Sequence, residues 1–359
     1  MKEESKKKKE KDGHKRQKYV LMPDLVHSLS ILPRKGINIP GRSLVDDMEK
    51  ELFEMIKKLF VGSDVDVIEL PFNEMCDALV ARAHKIKEEY PEALVVTTAP
   101  LIAYEAEGNC IRLNRIVDMQ GNIIGIGPRP GNCSIAEQLK ELKGKPVIII
   151  EDGSFTGSSL SFLLESLSKE KVKAIILGLI FEKAKEVLAE KYDGEVYCHI
   201  NSDSKFLDWM PTHDFFPFIP NSGRVVGFTF GKKQFPLYTY YGASFSKPYI
   251  YPYSDPADWA SLRGDKMAMI SFSQKCLDMT YNLFREISKL NGGNVVVGDL
   301  IDSNPRTSIP ISSDCFDFPD KQDKVSEILQ RGKDSLQRMR DNISSSKNID
   351  EEVKGWQRP

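Results

Sequence analysis

Apolar residues recur along the chain in two alternating rhythms. In "SLVDDMEKELFEMIKKLF" (43–60), Leu44, Met48, Leu52, Met55, Ile56 and Leu59 fall at helical spacing behind a capping Ser43, which predicts an amphipathic helix. "DVDVIEL" (64–70) predicts a strand, and "FNEMCDALVARAHKIKEEY" a helix that stops ahead of Pro91. "EALVVTT" (92–98) predicts a short buried strand. A more polar stretch at 104–134 carries Gly108, Gly121, Gly125, Gly127 and Gly131, and "SIAEQLKELKG" then predicts a helix closed by Gly144. "KPVIIIED" reads as a strand, "SLSFLLESLSKE" as a helix, and "VKAIILGLIF" as a strand. "KAKEVLAEKY" follows as a helix and "GEVYCHI" as a last short strand. Continuous apolar strands between helices indicate an α/β fold, a mainly parallel sheet with helices on both faces.

The rhythm fades near residue 205. "FLDWMPTHDFFPFIPNSGRVVGFTFG" and "YTYYGASFSKPYIYPYSDPADW" are dense in aromatics and prolines with little periodicity. A long helix candidate, "MAMISFSQKCLDMTYNLFREISKLNGG", comes next, and apolar Val325, Ile328, Leu329, Leu336 and Met339 predict a further helix. The expected organisation is a disordered basic arm at 1–18, an α/β domain at 19–204, and an aromatic-rich accessory region at 205–320. A C-terminal helix at 321–342 and a disordered end at 343–359 complete it.

Composition narrows the function classes. A net charge of −2, with 41% hydrophobic and 28% charged residues, supplies no global attraction to nucleic acid. Lys6 to Lys9 read as a solvated tail rather than an RNA contact or a localisation signal. No apolar run approaches the ~20 residues of a membrane helix. The six cysteines are scattered without a CxxC pair, as expected of reduced thiols in a cytoplasmic protein.

The candidate chemistry lies in "VIIIEDGSFTGSSL" (147–160), where a buried strand runs into Glu151 and Asp152 and then into a turn of small residues. In open α/β sheets ligands sit beyond the carboxyl ends of the strands. Gly153 and Gly157 permit a tight turn and close backbone approach. Ser154, Phe155, Thr156, Ser158 and Ser159 complete the loop, and its hydroxyls and amides meet the positive end of a helix dipole, a cradle for phosphate. A carboxylate pair would repel phosphate, so Glu151 and Asp152 are expected to face either vicinal sugar hydroxyls or a divalent ion. The phosphate motif GxxxxGK[ST] is absent.

These residues resemble the signature of the type I phosphoribosyltransferases: four apolar residues, two acids, a short variable spacer, then Thr-Gly and small hydroxyl residues. The resemblance spans about residues 43–200; the region after 205 resembles no family. It implies a parallel sheet that binds phosphoribosyl pyrophosphate, or a ribose 5-phosphate nucleotide, with magnesium (Mg2+). It implies that Glu151 and Asp152 hold the ribose hydroxyls, with Asp152 toward the metal, and that residues 153–159 hold the 5-phosphate. The implied reaction transfers the phosphoribosyl group to a nitrogen acceptor as pyrophosphate leaves, through a transition state of oxocarbenium character.

Departures from that pattern qualify the reading. The candidate second loop for pyrophosphate, "TTAPLIA" (97–103), offers Thr97, Thr98 and the Ala99 amide but no glycine or basic residue. Arg112, Arg115 and Arg129 in the 104–134 stretch are the candidates for a hood over the pyrophosphate, with surface arginines on a hairpin as the other reading. Relatives acting on hypoxanthine or guanine carry an acid before Thr-Gly; Phe155 stands there, which disfavours that substrate class. The weak pyrophosphate loop keeps a second function open, a non-catalytic protein that senses a phosphoribosyl ligand or nucleotide. A homodimer is a partner reading the sequence leaves open.

Outside this stretch, His213 and Asp214 are adjacent, and a hydrogen-bonded loop is expected there rather than a catalytic dyad. Arg224 is expected between a turn and a strand, with contact to an acidic ligand as the lesser reading. Phe215, Phe216, Phe218, Tyr238, Tyr240 and Tyr241 are expected to be mostly core or packing surface, with base stacking open to one of them.

Overall fold

The computed structural model describes residues 16–200, 205–238, 242, 244–306 and 319–356, with side chains to 344. In chain order the strands are β1 (Gln17–Met22), β2 (Val65–Glu69), β3 (Leu94–Thr97), β4 (Asn109–Cys110), β5 (Leu113–Val117) and β6 (Ile123–Pro128). β7 (Val147–Ser154), β8 (Val172–Ile180), β9 (Glu195–Cys198), β10 (Phe206–Pro211), β11 (Arg224–Phe230) and β12 (Lys233–Pro236) follow. The helices are α1 (Leu25–Leu29), α2 (Arg42–Leu59), α3 (Phe72–Glu89), α4 (Pro100–Glu105), α5 (Ile135–Gln138) and α6 (Ser158–Leu167). The remaining helices are α7 (Glu182–Lys191), α8 (Pro256–Ala260), α9 (Lys266–Leu290), α10 (Val297–Leu300) and α11 (Val325–Trp356).

These elements form two compact units. The first comprises residues up to Met22, Phe60–Ile111 and Ala136–Met210; the second comprises Pro23–Leu59, Arg112–Ile135 and the chain from Pro211 onward. The first unit ends at Met210, and residues 23–59 and 112–135 group with the second unit. The basic arm falls outside the described residues except at its end, where Gln17 and Lys18 begin β1. The last helix continues from Val325 to Trp356, past the expected end at 342.

The first unit is α/β. Its main sheet has the order β4-β3-β7-β8-β9, and every pairing is parallel. β7 is central, and Val147 to Glu151 are buried without interruption, as a strand covered on both faces requires. Successive side chains alternate between faces. Ile148, Ile150, Ala174 and Ile176 join one core with Met75, Leu79, Ala83 and Ile86 of α3. Val147, Ile149, Ile175 and Leu177 are equally buried on the other face. Each such side chain contributes about 2 kcal/mol of burial free energy. Val20, Met22 and Leu70, from β1 and the end of β2, extend the α3 core, and β10-β1-β2 form a smaller sheet.

The second unit carries a sheet of order β12-β11-β5-β6, two antiparallel hairpins joined by a parallel β11–β5 pairing. Aromatic density masked this hairpin in the sequence, although Gly231 supplies the left-handed turn residue that ends β11. Asp265 caps α9 through an Oδ1 contact of 2.8 Å from the Ala268 amide, and Met269, Ile270, Ser273, Leu277, Thr280, Phe284 and Ile287 bury one face of that helix. α11 packs against it. The expected helix at 134–144 is reduced to α5 and a 3-10 turn at Lys140–Leu142. Only Ile135 and Leu142 are buried there, too few apolar anchors to hold a longer helix.

Gly178 of β8 lies opposite the end of β7. A Cβ at that position would stand 2.2 Å from the Asp152 carbonyl oxygen and 2.4 Å from Met75 Sδ. Backbone cannot yield as a side chain does, so Gly178→Ala is expected to destabilise the first unit by about 3 kcal/mol in urea denaturation. A loss below about 1 kcal/mol would show that β7 and β8 separate there at little cost.

Candidate functional site

In the main sheet the chain leaves β3 toward β4 and leaves β7 in the opposite direction, toward β8. β3 and β7 are adjacent, so their carboxyl ends flank a topological switch point, where open sheets form ligand crevices. Right-handed crossovers set α4 and α6, which follow these strands, on opposite faces.

β7 remains extended through Ser154, so Glu151 and Asp152 project to opposite faces rather than forming one clamp. Glu151 is buried, and Thr98 serves both of its oxygens. Its Oε1 accepts from the Thr98 amide at 2.6 Å and its Oε2 from Thr98 Oγ1 at 2.7 Å. Asp152 is half-buried, and its Oδ1 accepts from the Gly153 amide at 2.8 Å. Its charge reaches Cys76 on α3. Burial, with Glu105, Asp77 and Asp152 adding, pushes that thiol up to about 12, so Cys76 is no nucleophile.

The turn after β7 has the geometry of an anion cradle. Gly157 is left-handed (φ 77°) and a Cβ there would meet Val187 of α7 at 3.1 Å, so glycine is required on both counts. Thr156 Oγ1 and Ser158 Oγ are 2.9 Å apart. The amides of Thr156, Gly157 and Ser159 donate to no acceptor among the described residues, as the first turn of a helix leaves them. Gly153 admits Trp209, whose ring a Cβ would approach to 3.1 Å, and the Trp209 Nε1 is out of water without an acceptor. Phe155 is 43% exposed and leans on Phe181 at 4.3 Å, and Phe206 extends the row.

The segment after β3 is engaged differently. The Ala99 amide donates to Thr97 Oγ1 at 3.0 Å, and the Thr98 amide and hydroxyl go to Glu151. Pro100 opens α4 rather than merely ending the strand. Three of the donors that "TTAPLIA" was expected to offer a pyrophosphate, the Thr98 amide and hydroxyl and the Ala99 amide, are therefore engaged inside the chain.

Arg112, Arg115 and Arg129 belong to the second unit, at the β5–β6 hairpin. Arg129 is buried; its Nε donates to the Leu113 carbonyl at 3.2 Å and its Nη1 to Asn221 Oδ1 at 2.8 Å. His213 does not act with Asp214. Its Nδ1 meets Asp24 Oδ2, its amide meets Asp24 Oδ1 at 3.1 Å, and Asp214 Oδ1 is 3.7 Å from Nε2. Burial holds the His213 imidazole below its usual range, with the charge of Arg306 adding and Asp24 opposing. Burial alone would raise Asp24, but His213 and Thr212 hold it below the ordinary carboxylate value. Phe215, Phe216 and Phe218 are core, and Tyr240 and Tyr241 lie outside the described residues. A cleft of about 140 Å³ beside Val80, His84, Lys87 and Glu107 lies along the amino-terminal half of β3, away from the switch point.

Sequence reasoning did not find the Thr98–Glu151 pair, Gly178 or the Phe155–Phe181–Phe206 row. A lone glycine inside the apolar run "AIILGLIF" was a readable sign of close backbone approach. The other two need the order of the strands. Among the described residues, no group of three or more His, Cys, Asp or Glu side chains gathers to hold a metal, and no helix is long and apolar enough to cross a membrane.

No family model matches the chain, and no curated protein resembles it in sequence. Among solved structures, the crystal structure of an adenine phosphoribosyltransferase is similar at a TM-score of 0.24 and 13% identity, over 35% of this chain and 79% of its own.

Thr98→Val keeps the shape of the residue but leaves Glu151 Oε2 without its hydroxyl. A stability loss of about 1–3 kcal/mol is expected in urea denaturation. A neutral result would mean that the carboxylate has another equal partner.

Glu49 of α2 tests the second unit by pH. Its Oε1 accepts from the Leu25 amide at 2.7 Å and from Thr212 Oγ1 at 2.6 Å. Burial pushes its carboxyl up to about 7, with Asp24 and Asp46 adding and the bonds from Thr212 and Leu25 opposing. Its folded value exceeds the ordinary 4.5, so its contribution is fully present below 4.5 and is lost as pH rises to about 7. In Glu49→Gln that decline should flatten, with a stability gain at pH 8 of up to about 3 kcal/mol, read from denaturation midpoints across pH.

Proposed function

We propose that the chain binds a 5-phosphoribosyl group at the carboxyl end of β7. The reading rests on one observation. The amides of Thr156, Gly157 and Ser159 meet no acceptor among the described residues at the start of α6, beside three hydroxyls and four residues or more past the half-buried Asp152. Phosphate oxygens are the natural acceptors for such donors at the positive end of a helix dipole. In this reading the ribose hydroxyls donate to Asp152, and Glu151 acts as a positioning residue that holds the β3 loop against β7. Phe155, exposed on its aromatic row, is the surface on which a heteroaromatic base would stack.

The resemblance implies magnesium. In sites that bind phosphorylated sugars, this ion is held chiefly by phosphates and waters with one or two carboxylates. A single Asp152 at the strand end fits that demand, whereas an all-protein cage would not. When bound, the ion would neutralise the charge on a leaving pyrophosphate. The chain's own part in transfer to a nitrogen acceptor is to hold the sugar and the 5-phosphate in place while the anomeric carbon changes partners.

A second reading has its own support. The Thr98 and Ala99 donors are committed, and residues 97–103 contain no lysine or arginine. A protein that binds the ribose 5-phosphate end of a ligand without holding a pyrophosphate has the character of a sensor of phosphoribosyl compounds.

Calorimetric titration tests the site, using phosphoribosyl pyrophosphate, ribose 5-phosphate and a nucleoside 5′-monophosphate, each with magnesium. Ser159→Asp, which sets a negative charge among the phosphate donors, and Asp152→Asn are each expected to weaken binding about tenfold or more. Native affinity in both variants would sink the proposal. Release of pyrophosphate in the presence of a panel of bases and amines separates the transferase from the sensor: binding with no release across the panel assigns the sensor.

A further inference from the structure

The second unit holds its own group of buried charges. Two loops meet there, 218–223 ahead of β11 and 303–306. The Asn221 amide donates to the Ser303 carbonyl at 3.0 Å and the Ser222 amide to the Asn304 carbonyl at 2.9 Å. Arg306 donates its amide to the Ile219 carbonyl at 3.3 Å and accepts from the Phe218 amide at 3.2 Å. Pinned on both sides, Arg306 turns its side chain inward and is only 3% exposed.

Its guanidinium is under-satisfied. Nη2 pairs with Asp214, while Nε and Nη1 are out of water and have no acceptor among the described residues. Arg224, the first residue of β11, has the same deficit at Nε. Both guanidiniums lie against one ring, Tyr249, at 5.3 Å for Arg224 and 5.9 Å for Arg306. The nearby carboxylates are taken: Asp24 by His213 and Thr212, and Asp214 by Arg306 Nη2. Burial lowers the Arg306 proton affinity to about 9, Asp24 opposing and the positive charges of Arg129 and Arg115 adding.

A guanidinium always carries its charge and its five donor hydrogens. Leaving its donors unbonded away from water costs more than leaving a neutral group so, and buried polar groups in folded chains meet partners almost without exception. The role of counter-ion to Asp214 accounts for one nitrogen of Arg306 and for nothing at Arg224. What remains is a set of N–H donors facing low-dielectric surroundings with an excess of positive charge, and the acceptor that matches their planar forks is an oxyanion.

We infer that Arg306 and Arg224, both packed against the Tyr249 ring, form an oxyanion-binding site within the second unit that takes the phosphate or carboxylate group of a small ligand. The bound oxygens receive Arg306 Nε and Nη1 and Arg224 Nε, and the anion balances the guanidiniums that Asp214 and Asp24 do not.

Thermal unfolding of the full chain tests the site, in a Ser159→Asp background that removes the phosphate cradle after β7 from competition. Sodium phosphate and sodium succinate are titrated against sodium chloride at matched ionic strength. A rise in Tm with one of the two oxyanions, beyond that with chloride, is expected, and its identity tells phosphate from carboxylate. Arg224→Gln should weaken the response about tenfold or more. Arg224→Lys, which keeps the charge but lacks Nε, serves where the glutamine variant does not fold and should also bind more weakly. The inference is overturned if neither anion exceeds chloride, if an Arg224 variant that folds responds as the native residue does, or if Ser159→Asp alone abolishes the response of the native chain.

Discussion

The first unit depends on how a buried carboxylate is satisfied. Glu151 lies at the end of the central strand with almost no access to water, and an ionised group there is tolerable only with strong donors. Thr98 supplies two, one from its backbone and one from its side chain. That pair of bonds joins the ends of β3 and β7 where their connections diverge. Asp152, one residue on, faces the other way, and the turn through Gly157 carries the chain into α6.

The constraint has a consequence for chemistry. The Thr98 amide and hydroxyl serve Glu151 and the Ala99 amide serves Thr97, so three donors of the β3 loop are committed, whereas before α6 the Thr156, Gly157 and Ser159 amides meet no acceptor among the described residues.

The second unit is organised by buried charge of both signs. Asp24 holds His213 and Asp214 holds one nitrogen of Arg306, so the adjacent His213 and Asp214 serve different partners. Glu49 and Thr212 close the group on one side. Such networks are costly unless complete, and the incomplete edge lies at Arg306 and Arg224.

The sequence by itself determined the parts of this protein that local patterning controls. The apolar run before Glu151, the helical spacing of α2 and α3, the turn glycines and the hydroxyl-rich start of α6 are read from neighbours within a few residues, and each formed where expected. The tertiary structure decided which strands are adjacent, and with that everything depending on contacts between distant residues. Thr98 meets Glu151 across 53 positions, Asp24 meets His213 across 189, and Gly178 is glycine because β7 passes over it. Periodicity carries the face a side chain shows; it carries no information about the partner on that face, which the packing of the whole chain selects.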